Sequence, residues 1–287
     1  MTSHVLTLSC DDRPGLVHAV TGGLLDVDGN IAENHQFTEP DTGTFCMRTV
    51  VDTPSDDPDE VRAAVVARLG ALGLGEGDGV ALRVRRESQR PRVLILVSRY
   101  DHCLVDLLYR WRNGRLPIEI PLVVSNHPDC ALVAAREGIP FEHLPVTPET
   151  KAQHEAHLEE LITEHRIDLV VLARYMQILS DDLCRHLRGR AINIHHSFLP
   201  GFKGARPYHQ AHARGVKLVG ATAHFVTAEL DEGPIIEQDV ARVSHAHTAE
   251  ELVALGQDTE RIVLSRAVRY WAEDRVLLVG DKTVVFS

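Results

Sequence analysis

The sequence predicts an α/β protein in two parts: an N-terminal ferredoxin-like α+β domain, then a doubly wound, mostly parallel sheet. Three observations carry this. The first part reads β-α-β-β-α-β. Beyond Val93, continuous apolar runs alternate with helical segments. Between them, Arg83 to Arg92 (with Arg-Arg-Glu-Ser-Gln-Arg-Pro) is charged, polar and proline-bearing. Two split β-α-β units make a small ferredoxin-like sandwich, whereas strands alternating with helices imply a parallel sheet. The expected limits are 1–86 for the first domain, 87–92 for the connection and 93–287 for the second.

In the first part, His4 to Cys10 alternates as a half-buried strand does. Asp11-Asp-Arg-Pro-Gly then turns the chain into a helix with Leu16, Val17, Val20, Leu24 and Leu25 on one face. Asn30 to Phe37 and Thr44 to Val51 read as a hairpin around Glu39-Pro-Asp-Thr-Gly. Acidic residues from Asp56 to Glu60 suit the first turn of a helix running to Leu72, and Val80 to Val84 is the last strand. In the second part, Val93 to Val97, Ile118 to Val124, Phe141 to Leu144 and Leu169 to Leu172 are the buried strands. A polar helix spans Pro148 to His165, another ends near Trp271, and Val276 to Val279 with Thr283 to Phe286 form a terminal hairpin.

The 287 residues suit two domains, and 44% hydrophobic with 25% charged residues is ordinary for a globular chain with a sizeable core. A formal net charge of -11 argues against nucleic acid or an anionic membrane as partner. No apolar run reaches membrane-spanning length and Met1-Thr-Ser-His opens no signal peptide, so a cytoplasmic location is expected. The five cysteines are odd in number and scattered, which predicts small buried residues rather than disulfides or a zinc knuckle.

The chemistry concentrates between Ala191 and Asp239. An apolar run ends at Asn193-Ile-His195-His196 and breaks into Phe198-Leu-Pro-Gly-Phe. A second β-branched run, Val216 to Val226, carries His224, and seven residues on Asp231 opens the turn Asp-Glu-Gly-Pro. Ligands of open α/β sheets bind where strands end. An amide donor, imidazoles and a carboxylate converging there suit a reaction that polarises a carbonyl and moves protons. His196, one residue beyond His195, is expected on the opposite face of the strand exit, shaping water or serving as structure. With 17 histidines a metal site is conceivable, but no His-x-x-x-His or paired cysteines support one, and none is expected.

Asn193-Ile-His195, Leu199-Pro-Gly-Phe, Gly204, His224 and Asp231-Glu-Gly-Pro-Ile-Ile together resemble the signature of the folate-dependent formyltransferase fold. The first part, with Asp12-Arg13-Pro14-Gly15-Leu16 at its first turn, resembles an ACT domain. That pairing resembles the formyltetrahydrofolate deformylase family over essentially the whole chain. The resemblance implies hydrolysis of 10-formyltetrahydrofolate to formate and tetrahydrofolate, which would supply formate to purine synthesis and balance the one-carbon pool. It implies no permanently bound cofactor, the folate being substrate. It makes Asn193, His195 and Asp231 the catalytic set, with His224 pairing with Asp231 and His196 in support. It also makes Arg174, Tyr175, Met176, Gln177, Ile178 and Leu179 the lining of the pterin pocket, the plain alternative being that Met176, Ile178 and Leu179 are core. Gly204, Arg206, Tyr208 and His209 fall on a loop expected to close over the site.

The alternative enzyme reading is formyl transfer to an amine. Transferases that load a nucleotide cradle its phosphate with a glycine-rich turn after the first strand. Here that turn is Val97-Ser98-Arg99-Tyr100-Asp101-His102-Cys103, without glycine and with an acidic residue that repels phosphate, unless Asp101 only caps the next helix. Water is therefore the expected acceptor. A third reading is a folate- or amino-acid-binding regulator with a relic site. The ACT resemblance implies a homo-oligomer formed through that domain and an amino-acid effector, glycine or methionine, at Asp12 to Leu16. The plain alternative is a helix-entry turn without ligand.

Overall fold

The computed structural model describes residues 1–75, 77, 79–201 and 207–287, and the chain divides into two compact units. The first comprises Met1–Arg90 with Glu273–Ser287, the second Pro91–Ala272. Among the described residues no helix is long and apolar enough to cross a membrane.

In the first unit, β1 (Thr2–Asp11), α1 (Leu16–Leu25), β2 (Asn30–Glu39), β3 (Thr44–Thr53), α2 (Pro58–Gly70) and β4 (Ala81–Arg86) form an antiparallel sheet of order β2-β3-β1-β4 with two helices on one face. Leu16, Val20 and Leu24 of the expected α1 face, with Val61, Val65 and Leu69 of α2, pack on Leu6, Leu8 and Met47, whereas Leu25, expected on that face, is exposed at the helix end. The start of α2 is set by Asp57, whose carboxylate accepts the Asp59 amide at 3.0 Å, with Pro58 in the first turn.

The second unit holds β5 (Arg92–Val97), α3 (His102–Arg112), β6 (Glu119–Ser125), α4 (Ala131–Arg136), β7 (Phe141–His143), α5 (Lys151–Glu164), β8 (Leu169–Leu172), α6 (Asp181–His186), β9 (Ala191–His195), α7 (Pro207–Ala213), β10 (Leu218–Phe225), β11 (Ile235–Arg242) and α8 (Ala249–Ala272). Its seven strands run in the order β11-β10-β9-β8-β5-β6-β7. The pairs from β9 through β8, β5 and β6 to β7 are parallel, whereas β10 is antiparallel to both β9 and β11. Buried from both sides, β5 is apolar throughout after Arg92, as a central parallel strand must be. Leu94, Leu96 and Val170 face Leu158, Leu161 and Ile162 of α5 on one side, and α8 packs along β9, β10 and β11. Strand β11 was not anticipated. Its sequence Ile-Ile-Glu-Gln-Asp-Val-Ala-Arg mixes charge with apolar residues because an edge strand keeps much of its length in solvent.

The carboxyl end departs from the expected limit of 93–287. The terminal hairpin, β12 (Val276–Val279) with β13 (Lys282–Val285), groups with the first unit. Leu277, Val279, Val284 and Phe286 pack around Cys46 of β3, and Arg48 of β3 donates to the Glu273 carbonyl at 3.0 Å. An isolated two-stranded hairpin is marginal in water, and burying its apolar face against a sheet is what stabilises it. All five cysteines are free and buried.

Candidate active site

Strand register explains how the site residues meet. On the antiparallel β9–β10 pair, Asn193 stands opposite His224 and His195 opposite Thr222. The Asn193 amide nitrogen lies 3.2 Å from His224 Nε2. The other ring nitrogen, Nδ1, is 2.8 Å from the Phe225 carbonyl, which can only accept, so Nδ1 carries the proton. Burial outweighs that hydrogen bond and the nearby Asp231 carboxylate and lowers the His224 pKa, so the ring is neutral and Nε2 accepts from Asn193. This fixes which way the amide faces.

Asp231 comes from the turn after β10. Its φ of 59° is left-handed, a conformation that aspartate tolerates better than most residues, and such strain gathers at functional sites. The turn packs close on β10: a Cβ at Gly233 would sit 1.8 Å from the Phe225 carbonyl oxygen, so only glycine fits. The result places Asp231 Oδ1 3.1 Å from His195 Nδ1. Burial pushes the carboxyl pKa up, but the His195 hydrogen bond and the neighbouring imidazoles outweigh it, and the net shift is downward. His224 Nε2 approaches Asp231 at 3.8 Å, too long for a hydrogen bond, and its nearer partner is Asn193. The far nitrogen of His195, Nε2, is buried without a hydrogen-bond partner. Buried orphan groups of this kind invite a ligand.

These residues line a cavity of about 580 Å³, within the range of small-molecule sites. All six residues from Arg174 to Leu179 border it. Met176 and Ile178 are 55% and 61% exposed, so they are cavity wall rather than core. Tyr175 is buried, its hydroxyl 2.7 Å from His154 Nε2. The segment is pinned by Ser98, which accepts the Met176 amide at 3.0 Å and donates to Asn126 at 2.6 Å. That spends the Ser98 hydroxyl in the first-strand turn. Asp101 precedes α3 without a side-chain cap.

Three expectations need correction or completion. His196 does not turn away: the strand ends at His195, alternation lapses, and both rings line the same cavity with centroids 5.0 Å apart. Burial first, then the Arg174 and His195 charges, push its pKa down to about 4. Tyr208 is not on an exposed loop but on α7, 6% exposed. His209, on the same helix, is exposed and borders the cavity, while Gly204 and Arg206 lie outside the described residues.

Sequence reasoning missed Glu260, on α8. Its carboxylate is 1% exposed, accepts from the Tyr208 hydroxyl at 2.7 Å and lies 2.7 Å from His102 Nε2 and 3.4 Å from Arg174 Nε. One signal existed: a glutamate on the apolar stripe of an otherwise amphipathic helix needs a buried partner. Glu260, His102 and Cys103 bring three metal-type donor atoms within 4.8 Å. However, burial and the Glu260 charge push the Cys103 thiol well up, and the Arg174 guanidinium opposes a cation there, so hydrogen-bonded side chains fit better than a metal.

Residues 91–268 match the formyl transferase family model and residues 4–65 the ACT domain model. A formyltetrahydrofolate deformylase from a Corynebacterium species is 49% identical over 282 residues, covering 98% of this chain and 97% of that one. This chain belongs to the formyltetrahydrofolate deformylase family. The fold agrees over its full length: the deformylase from Burkholderia mallei superposes with a TM-score of 0.93 at 48% identity, covering 100% of both chains. The deformylase from Pseudomonas syringae gives 0.94 at 44%, covering 100% of this chain and 95% of that one. The ACT domain of this chain also carries a cavity. It lies within the first unit and is bordered by Asp12, Arg13, Gly15 and Leu16 but not Pro14. Asp12 there accepts from Thr38 at 3.2 Å, and Leu16 is core.

Proposed function

We propose that the chain hydrolyses 10-formyltetrahydrofolate to formate and tetrahydrofolate, with Asn193, His195 and Asp231 as its catalytic residues. One observation supports these roles above all: His195 is held by Asp231 through Nδ1 while its Nε2 is left buried and unpartnered, and Asn193 lines the same cavity. A protonated Nε2 and the Asn193 N–H donate to the formyl oxygen as it gains charge. The Asp231 carboxylate, ionised because its pKa is lowered, orients water and accepts its proton. Attack forms the new C–O bond. Protonation of N10 then lets the C–N10 bond break, and the acid product sheds its remaining proton as formate. His224 orients the Asn193 amide, and the exposed apolar side chains of Met176 and Ile178 receive the pterin. Formate released from 10-formyltetrahydrofolate and water alone, with at least about 10²-fold loss of turnover in Asp231→Asn, is the expected result. An Asp231→Asn variant of full activity removes the aspartate from the mechanism.

The cavity at Asp12 to Leu16 supports an amino-acid effector, glycine or methionine, whose carboxylate would sit by the start of α1. The exposed edge of β2 supports homo-oligomerisation through the first unit. A cytoplasmic location accords with both roles. Calorimetric titration with each amino acid, and turnover in its presence, tests the effector; no binding and no change in rate dismisses it.

A further inference from the structure

The cavity wall divides by chemistry. Leu172, Met176, Ile178, Leu179 and Val226 form an apolar part suited to a pterin ring, whereas Arg174, His196, Tyr208 and Glu260 form a charged and aromatic part. The His195 and His196 rings are 5.0 Å apart, and those of His196 and Tyr208 6.3 Å, so side chains run in sequence from the reaction centre to this second part.

Tyr208 is seated there by two independent features of α8. A Cβ on Gly256 would lie 2.0 Å from Tyr208 Cζ and 2.2 Å from its hydroxyl, so the helix carries a notch that the phenol ring fills. One turn on, on the same helix face, Glu260 accepts the Tyr208 hydroxyl at 2.7 Å. The other carboxylate oxygen is taken by His102 Nε2 at 2.7 Å, with Arg174 Nε 3.4 Å away. Burial opposes the charge on Glu260, but His102, Arg174 and Tyr208 outweigh it and lower its pKa. Burial and that carboxylate push the Tyr208 hydroxyl far up, so it remains a donor. Arg174 holds a φ of 65° and stacks its guanidinium 5.5 Å from the Tyr100 ring centre. A buried carboxylate with both oxygens paired inside the chain has little to offer a ligand, and buried ion networks add little net stability over apolar packing.

We propose that Tyr208, clamped by Glu260 in the notch at Gly256, sets the choice of nucleophile: one ring beyond His196 from the reaction centre, it closes the part of the cavity that an amine acceptor needs and leaves room for water. This rests on the hydrolytic reading above. The folate takes the apolar part, so an acceptor has only the charged part to enter, and there the Arg174 cation and the phenol ring stand in its way. In the excluded reaction an amine nitrogen would bond to the formyl carbon, the C–N10 bond would break, and N10 would take up the proton the amine loses.

The test is a product ratio. The full-length enzyme is supplied with 10-formyltetrahydrofolate and hydroxylamine, and N-formylhydroxylamine is measured against formate. Wild type is expected to give formate almost alone. Tyr208→Ala is expected to raise the ratio of formylated amine to formate about tenfold or more, the scale on which a change of pocket volume discriminates small substrates. Tyr208→Phe, which keeps the ring and deletes the clamp, and Glu260→Gln are expected to move it the same way by less. An unchanged ratio with hydrolysis continuing, or loss of both reactions in parallel, overturns the proposal. If the alanine variant does not fold, the phenylalanine variant decides on the same criterion. Absence of formate from wild type without any amine would instead overturn the hydrolytic reading.

Discussion

At the residue scale, the site works by assigning each polar atom one job. The Phe225 carbonyl holds the proton on His224 Nδ1, which leaves Nε2 to accept from Asn193 and turns the amide outward. Asn193→Ala is expected to lower kcat by about 10²–10³ with KM little changed, because the donor acts on charge that develops only in the transition state. Steady-state kinetics on the folate substrate checks this; a change in KM alone would make Asn193 a binding residue. Loss of the His224 acceptor works through Asn193, so His224→Ala and Asn193→Ala are expected to be non-additive in a double-mutant cycle. Additive effects would mean that His224 acts elsewhere. That Asn193, His195 and Asp231 would meet in one cavity was legible in the sequence because their spacing and the intervening turn motifs are unusual. The Asn193–His224 contact was not, because it depends on an antiparallel register between strands 31 residues apart.

At the element scale, α8 is both core and site. Leu252, Val263, Leu264, Ala267 and Val268 bury its apolar stripe, and the same helix contributes the Gly256 notch and Glu260. Gly256→Ala normally favours a helix, since alanine is the better helix former by about 1 kcal/mol. Here it is expected to destabilise by about 1–3 kcal/mol, because the added methyl overlaps the Tyr208 ring and forces repacking. Thermal unfolding measures the sign. Stabilisation by Gly256→Ala would show that the ring does not occupy the notch in solution. The apolar periodicity of α8 could be read from its sequence, but its inward-facing glutamate could not be assigned a partner without the positions of α3 and α7.

At the scale of the whole molecule, acid sensitivity follows from histidines buried without charge. His196 is pushed down to about 4 by burial, Arg174 and His195, and burial also lowers His224 and His154. The unfolded chain takes up these protons near pH 6.5, and the folded chain resists until His196 titrates near 4. Stability is therefore expected to fall as pH drops through that window, with His196→Gln reducing the slope of melting temperature against pH. An unaltered slope in that variant would remove His196 as a source. Asp231 has the opposite sense: its pKa is depressed, so its contribution is present above the ordinary carboxylate value and is lost only in stronger acid. The terminal hairpin offers a second test at this scale. Removing residues 273–287 strips Cys46 of its apolar cover and Arg48 of its carbonyl partner. The first unit is expected to lose stability and expose its thiols to labelling, whereas unchanged protection of Cys46 would show that the hairpin is dispensable.

By itself the sequence determined the two-part α/β plan, the limits of most strands and helices, and the candidate residues that line the cavity. Those depend on local periodicity, turn chemistry and short-range spacing, which a linear pattern records. Only the tertiary structure decided that residues 273–287 group with the first unit, that Tyr208 is a buried member of a helix, and that Glu260 is paired beside the cavity. Those depend on which distant segments meet and on which polar atoms lose their water when they do.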